Sequence, residues 1–258
     1  MHWSDEGVLL AARRHGESAA ILEIFTRDHG RHVGLLRGGG SRRMAATLQP
    51  GTQLAVEWRA RLAEHLGTFR IELVTCRAAS LLHDPLALAA LTSSCSLLTR
   101  ILAERAPTGR FYLQTINFLD VLMANEMWMA TYLDWELALL REAGRGLDLS
   151  RCVVTGSRKN LRYVSPRSGA AVSEEGSGKW APKLLEIPAC LATGECSTIA
   201  DFAAGLLLTR HFLNAVLIET SSLDKATAAR QRLETLAIEM SSGGTYPLRG
   251  QSTASASR

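Results

Sequence analysis

Over the first 75 residues apolar and polar positions alternate in short runs, and the period changes to a helical one near residue 84. Residues 7–12, 20–26, 32–37, 53–60 and 68–74 read as five strands, separated by turn-forming pieces such as His15-Gly16-Glu17-Ser18 and Arg27-Asp28-His29-Gly30. In the fourth run Leu54, Val56 and Trp58 share a phase opposite Ala55, Glu57 and Arg59. In the fifth, Phe69, Ile71 and Leu73 alternate with Arg70 and Glu72. Each strand should therefore bury one face, with Trp58 and Phe69 in the core. Five short strands in so few residues suit a small closed barrel, of which the OB-fold is the common nucleic-acid-binding form.

At Asp84-Pro85 an N-cap and a first-turn proline open a helix expected to run to about Arg105, where Pro107-Thr108-Gly109 interrupts it. Further helices are expected over residues 110–124 and 127–143, the latter stopped by Gly144 and Gly146. A Gly- and Ser-rich stretch from Cys152 to Trp180 breaks the pattern. Helix resumes after Thr198, which forms a capping box with Asp201, over residues 201–218 and then 227–240. The predicted architecture is α+β: a barrel in residues 1–80, a helical domain in 81–240 with a small Cys-poor insert at 151–181, and a disordered tail at 241–258.

A chain of 258 residues, 47% of them apolar, is long enough to bury a substantial core. The first residues lack a basic region followed by an apolar run, and the longest uncharged stretch, 85–99, is too short and polar to span a bilayer. Five irregularly spaced cysteines fit a reducing compartment, so a cytoplasmic protein without membrane contact is expected. Net charge is only +4, yet residues 1–80 hold 11 arginines against 8 carboxylates, and no lysine precedes Lys159. Nucleic-acid affinity from such a chain must come from a local patch and fall as salt rises. The segment Arg37-Gly38-Gly39-Gly40-Ser41-Arg42-Arg43 suits a loop that follows a polyanionic backbone, a plain solvated hairpin tip being the alternative. No lysine follows these glycines, so the segment is not a phosphate-cradling nucleotide loop. Neither a GxSxG elbow nor a dinucleotide fingerprint occurs, and the histidines, including His15, His29 and His32, read as turn or surface residues. An enzyme is not indicated.

In this order the landmarks resemble the bacterial RecO family of DNA repair proteins. The resemblance rests on Gly16-Glu17-Ser18, the run from Phe25 to Arg31, the loop from Arg37 to Arg43 followed by Leu48-Gln49-Pro50, Cys152 to Gly156, Tyr163 to Gly169, and Leu208 to Leu213. It implies a non-enzymatic recombination mediator that binds single- and double-stranded DNA and anneals complementary strands. Such a protein works with RecR and helps RecA replace the single-strand-binding protein SSB. Arg14, Arg27, Arg31, Arg37, Arg42, Arg43 and Arg59 are then the candidate phosphate contacts, a solvated surface role being the alternative for each. A general OB-fold nucleic-acid-binding protein and a protein-binding scaffold are the competing readings.

Many members of the family bind zinc through two CxxC pairs. Here Cys152 is followed by Thr155, and the second pair appears as Ser173 and Gly176, so no metal and no cofactor are expected. Leu161, Tyr163, Val172 and Trp180 should instead hold the insert by packing on the helices. The helix at 127–143 is apolar on more than one face and reads as core. Alternatively, Trp128 and Tyr132, with Arg110 or Arg141 as the cation, form a groove for the acidic and aromatic C-terminal tail of SSB, which the resemblance implies as a partner.

Overall fold

The computed structural model describes residues 1–62, 64–124, 127–219 and 223–243. Strands β1 (His2–His15), β2 (Ala19–Thr26), β3 (Gly30–Leu36), β4 (Gln53–Arg59) and β5 (Thr68–Thr75) close into a barrel in the order β1-β2-β3-β5-β4. All pairings are antiparallel except β3 with β5, which meet in parallel at Leu35↔Thr68 and Leu36↔Phe69. This is the OB-fold topology that the five alternating runs predict. β1 is more than twice the expected length, because its first half pairs with β4 and its second half with β2. An irregularity between Leu9 and Ala11 bends it between the two. By ordinary alternation Leu9 faces the barrel interior while Val8 and Leu10 on either side of it face the helices. Leu54, Val56, Trp58 and Phe69 are buried as expected, but β5 runs off the core at its end and leaves Leu73 52% exposed.

A one-turn helix α1 (Arg42–Ala45) follows the triple glycine, and α2 (Arg77–Ser80) leaves the barrel. α3 (Pro85–Ile101) is capped by the Asp84 carboxylate on the Ala87 N–H. It stops four residues before the expected end, where Leu102 turns extended and Arg105 takes a left-handed φ of 61°. α4 (Gly109–Ala124) and α5 (Trp128–Glu142) follow. The insert is a three-stranded sheet of β6 (Leu161–Val164), β7 (Ala171–Ser173) and β8 (Leu185–Glu186), with a short helix α6 (Glu174–Ser177) and a 3₁₀ turn Gly178–Lys183 between the last two strands. α7 (Ala189–Thr193) precedes α8 (Ile199–Glu219), whose N-terminus carries the expected capping box, Thr198 and Asp201 exchanging hydrogen bonds of 3.0 and 3.1 Å. α9 (Leu223–Gly243) is longer than the pattern suggested and takes in Ser241–Gly243, where the tail was expected to begin; residues 244–258 lie outside the described residues.

Among the described residues α8 is the one helix long and apolar enough to cross a membrane. Its hydropathy has a core explanation: Phe202, Leu206, Leu213 and Leu217 are buried in the main cluster with residues of α3, α5 and α9. That core holds a buried ion-pair network, in which Arg230 of α9 reaches Glu234 at 3.4 Å and Glu234 pairs with Arg210 at 2.6 Å. Arg230 also reaches Glu136 of α5 at 2.5 and 3.1 Å, and both are almost fully buried. The same guanidinium donates to the Leu206 carbonyl at 2.8 Å, while Tyr132 and Thr209 donate to the carboxylate. Burial opposes the charge on Arg230, but Glu136 beside it holds the guanidinium pKa above its ordinary value.

Barrel and helices share a continuous seam. Val8, Leu10 and Phe25 belong to the helical core rather than to the barrel interior. Buried Arg77 bonds the Gly51 carbonyl, Gln53 of β4 and, at 2.6 Å, Asp120 of α4. Gly30, at φ +68°, lies so close to the connector after α3 that a Cβ there would stand 2.2 Å from the Ala106 carbonyl oxygen.

Candidate nucleic-acid interface

The triple glycine packs closely against its neighbours at Gly39 and Gly40. The Gly40 N–H donates to the Ser18 carbonyl at 3.0 Å, and a Cβ on Gly39 would stand 2.8 Å from that of Ala20. Side chains are therefore excluded so that the loop can lie against the β1–β2 hairpin. Arg42 and Arg43 lie on α1, whose N-cap Ser41 accepts from the Met44 N–H, so their backbone is fixed. Arg14, Arg37, Arg42 and Arg43 are exposed, and none has an ion pair among the described residues. An unpaired guanidinium at the surface keeps its charge available to a phosphate.

Arg37 and Arg59 line an open groove of about 870 Å³ along the barrel, and Arg70 of β5 joins them. Its floor includes Leu36, Met44 and Phe69, and Glu57 and Glu72 lie along it. Arg59 is 3.9 Å from Glu57 but remains well exposed. Arg70 escaped the sequence reading, although its position opposite Glu57 in the β4–β5 register follows from the alternation.

Two candidates are not part of this set. Arg31 is largely buried: its Nε donates to the Leu102 carbonyl at 3.0 Å and its Nη1 to Glu23 at 3.2 Å. It joins β3 to the end of α3, and its donors are committed. Arg27 sits in the β2–β3 turn beside Gly109 at the helical seam, paired loosely with Asp28 at 3.8 Å.

The barrel also carries an aromatic stack unforeseen in the sequence. Trp3 lies flat against His29 at 4.0 Å between centroids and against Trp58 at 5.6 Å, and Asp5 holds His29 Nδ1 at 2.8 Å. His32 is buried in this cluster rather than at the surface, and burial lowers its pKa.

Trp128 and Tyr132 do not form a partner groove. Both are buried, packed on Phe202, because α5 has apolar residues facing both α4 and α8. The groove beside them, about 490 Å³ between α4 and α5, is lined by Arg110, Leu113, Gln114, Asn117, Asp134 and Trp135, among others; Arg141 is not on its wall. Burial raises the pKa of Asp134 there.

In the insert, the four positions expected to correspond to zinc ligands do converge. The Ser173 hydroxyl and the Thr155 N–H each donate to Cys152 Sγ at 3.3 Å, and the two hydroxyls are 3.3 Å apart. A Cβ on Gly176 would lie 3.0 Å from the same sulfur. One thiol and two hydroxyls do not form a zinc ligand set, and these groups instead close on one another by hydrogen bonds. Burial pushes the Cys152 thiol up, but the bonds from Ser173 and Thr155 bring it down to about 6. Val172 is buried and Leu161 and Tyr163 are half-buried, but the insert residues in or packed against the helical core cluster are Val164, Leu185 and Ile187, and Trp180 is 55% exposed.

Comparison with known proteins follows the same division of the chain. The family described as "Recombination protein O N terminal" matches residues 1–77, and "Recombination protein O C terminal" matches residues 82–218. The DNA repair protein RecO of Jannaschia sp. (strain CCS1) is 48% identical over 233 residues, 90% of this chain and 95% of the relative. That of Cereibacter sphaeroides (strain ATCC 17025 / ATH 2.4.3) is 48% identical over 213 residues, 83% and 89% of the two chains. The protein from Ruegeria sp. (strain TM1040) is 46% identical over 217 residues, 84% and 90%.

Proposed function

Because the chain belongs to the RecO family of DNA repair and recombination proteins, we propose that it is a non-enzymatic mediator that binds single- and double-stranded DNA and anneals complementary strands. It acts with RecR to help RecA replace SSB. The observation that carries this reading is the set Arg14, Arg37, Arg42 and Arg43, exposed and without an ion pair among the described residues, with Arg37, Arg59 and Arg70 lining a groove on the barrel. Two phosphate backbones repel each other, and annealing needs that repulsion lowered where they meet. Arginines carried on a strand end and a capped turn bring fixed charge to phosphates on a backbone that is already ordered. They read no base, so binding should depend on salt and hardly on sequence. The α4–α5 groove, with Arg110 at its mouth and exposed Leu113 on its wall, is the place where a tail ending in acidic and aromatic residues would dock.

The test is annealing of two complementary fluorescent oligonucleotides precoated with the cognate SSB, across a salt series. Acceleration that fades as salt rises supports the mediator. DNA binding without acceleration reduces the protein to a general nucleic-acid-binding barrel, and no DNA binding leaves the scaffold reading.

A further inference from the structure

We infer that Trp180, with Lys179 and Lys183, forms a second contact for single-stranded nucleic acid on the inserted sheet, separate from the barrel groove. The inference rests on the DNA-binding reading above and adds to it a base-stacking platform that the barrel arginines lack.

Among the described residues Trp180 is the most exposed aromatic side chain, and Trp58, Trp128 and Trp135 are each only 2% exposed. The ammonium groups of Lys179 and Lys183 stand over its ring at 5.5 and 5.3 Å from the centroid. An indole at the surface with cations beside its face is the chemistry that takes a nucleobase on the ring and the neighbouring phosphates on the lysines. A cation–π contact at an exposed site is weaker than base stacking, so an arriving base can displace an ammonium to an adjacent phosphate.

The platform is held rather than loose. It rides on the 3₁₀ turn Gly178–Lys183, where Pro182 fixes one backbone angle and the Leu184 N–H closes the turn on Ala181 at 3.2 Å. Immediately before it, Ser173 caps α6 and joins that turn to the Cys152 cluster.

Charge supports the same occupant. Residues 151–187 contain seven Lys and Arg against three Glu, and include three of the chain's four lysines. Residues 81–150, by contrast, contain five basic and eight acidic residues. An anionic partner is thus favoured over a neutral or basic surface, and the exposed indole selects a nucleic acid among anions.

Trp58, Trp128 and Trp135 are buried and Trp3 is half-buried on the barrel, so the difference between wild type and W180F isolates the Trp180 signal. Oligo(dT) is titrated into the full chain, following tryptophan emission and, in parallel, anisotropy of a labelled strand. Quenching in the wild type that W180F largely removes, with W180A binding about five-fold or more weakly, is the expected result. The same quenching should persist in R42E/R43E, whose affinity falls for a different reason. K179Q/K183Q should lower the salt slope by about 1.4, from ~0.7 per single-strand phosphate contact. If anisotropy reports binding while emission and W180A affinity are unchanged, the platform is overturned and the barrel reading stands. If a protein partner but not DNA shifts the emission, the surface is a protein contact and the inference is wrong. Absence of DNA binding altogether overturns both.

Discussion

Arg230→Met strands a carboxylate in the middle of the helical core. Glu136 is fully buried, and without Arg230 it keeps only the hydroxyls of Tyr132 and Thr209 as donors. The Leu206 carbonyl loses its 2.8 Å guanidinium donor as well. Breaking a buried pair by removing one partner costs about 3–5 kcal/mol, most of it the uncompensated charge. A chain of this size loses roughly 2–4 °C of Tm per kcal/mol, so the variant should melt about 10 °C lower. The second arm separates stranded charge from lost packing: in R230M/E136Q the amide is neutral, its oxygen can accept from one hydroxyl and its NH2 can donate to the other, so roughly 2 kcal/mol should return. Urea denaturation followed by far-UV circular dichroism, with a shared m-value, measures both. A cost below about 1 kcal/mol for R230M, or no recovery in the double variant, would refute the reasoning and mean that water reaches Glu136.

Substituting Arg37, Arg42 and Arg43 together by Gln should reduce the slope of log K against log salt for single-stranded DNA by about 2, at ~0.7 per contact; Arg27→Gln should leave it unchanged, and the reverse pattern would move the DNA to the other end of the barrel. Restoring T155C/S173C/G176C beside Cys152 should create a tetrahedral thiolate site that binds one zinc per chain and raises Tm in its presence, measured by elemental analysis and melting; protein without zinc would show that the four positions do not converge as described. Burial lowers the His32 pKa below its unfolded value, so the stability that His32 contributes as a neutral ring is complete above about pH 6.5 and lost as pH falls towards the folded pKa. His32→Gln should flatten the stability profile below about pH 6.5, and an unchanged profile would place the titration elsewhere.

The barrel was legible in the sequence because alternation is a local signal: Leu54, Val56 and Trp58 declare a face without reference to the rest of the chain. Arg31 was not legible, since an arginine's availability depends on whether a carbonyl 71 residues away, Leu102, meets its Nε. Glycines state that a side chain is unwelcome and leave the reason open; at Gly39 and Gly40 the reason was a neighbouring hairpin. Trp180 was misplaced on the opposite ground, because a lone indole in a polar segment looks like an anchor until its surroundings are known. Trp128 and Tyr132 lie on a helix with more than one apolar face, which is itself the signature of burial on several sides.

The seam at Val8, Leu10 and Phe25 bears on how such a protein can be taken apart or recombined with its relatives. The two family matches meet near residues 77–82, a tempting place to splice. Yet the outer wall of the barrel there is part of the helices' interior, and Arg77 and Gly30 are fitted to partners on the far side. A barrel cut free would present an apolar wall and associate with itself. A chimera joined at that boundary would need both sides of the seam to come from the same parent, so the two halves can drift in sequence only as a matched pair.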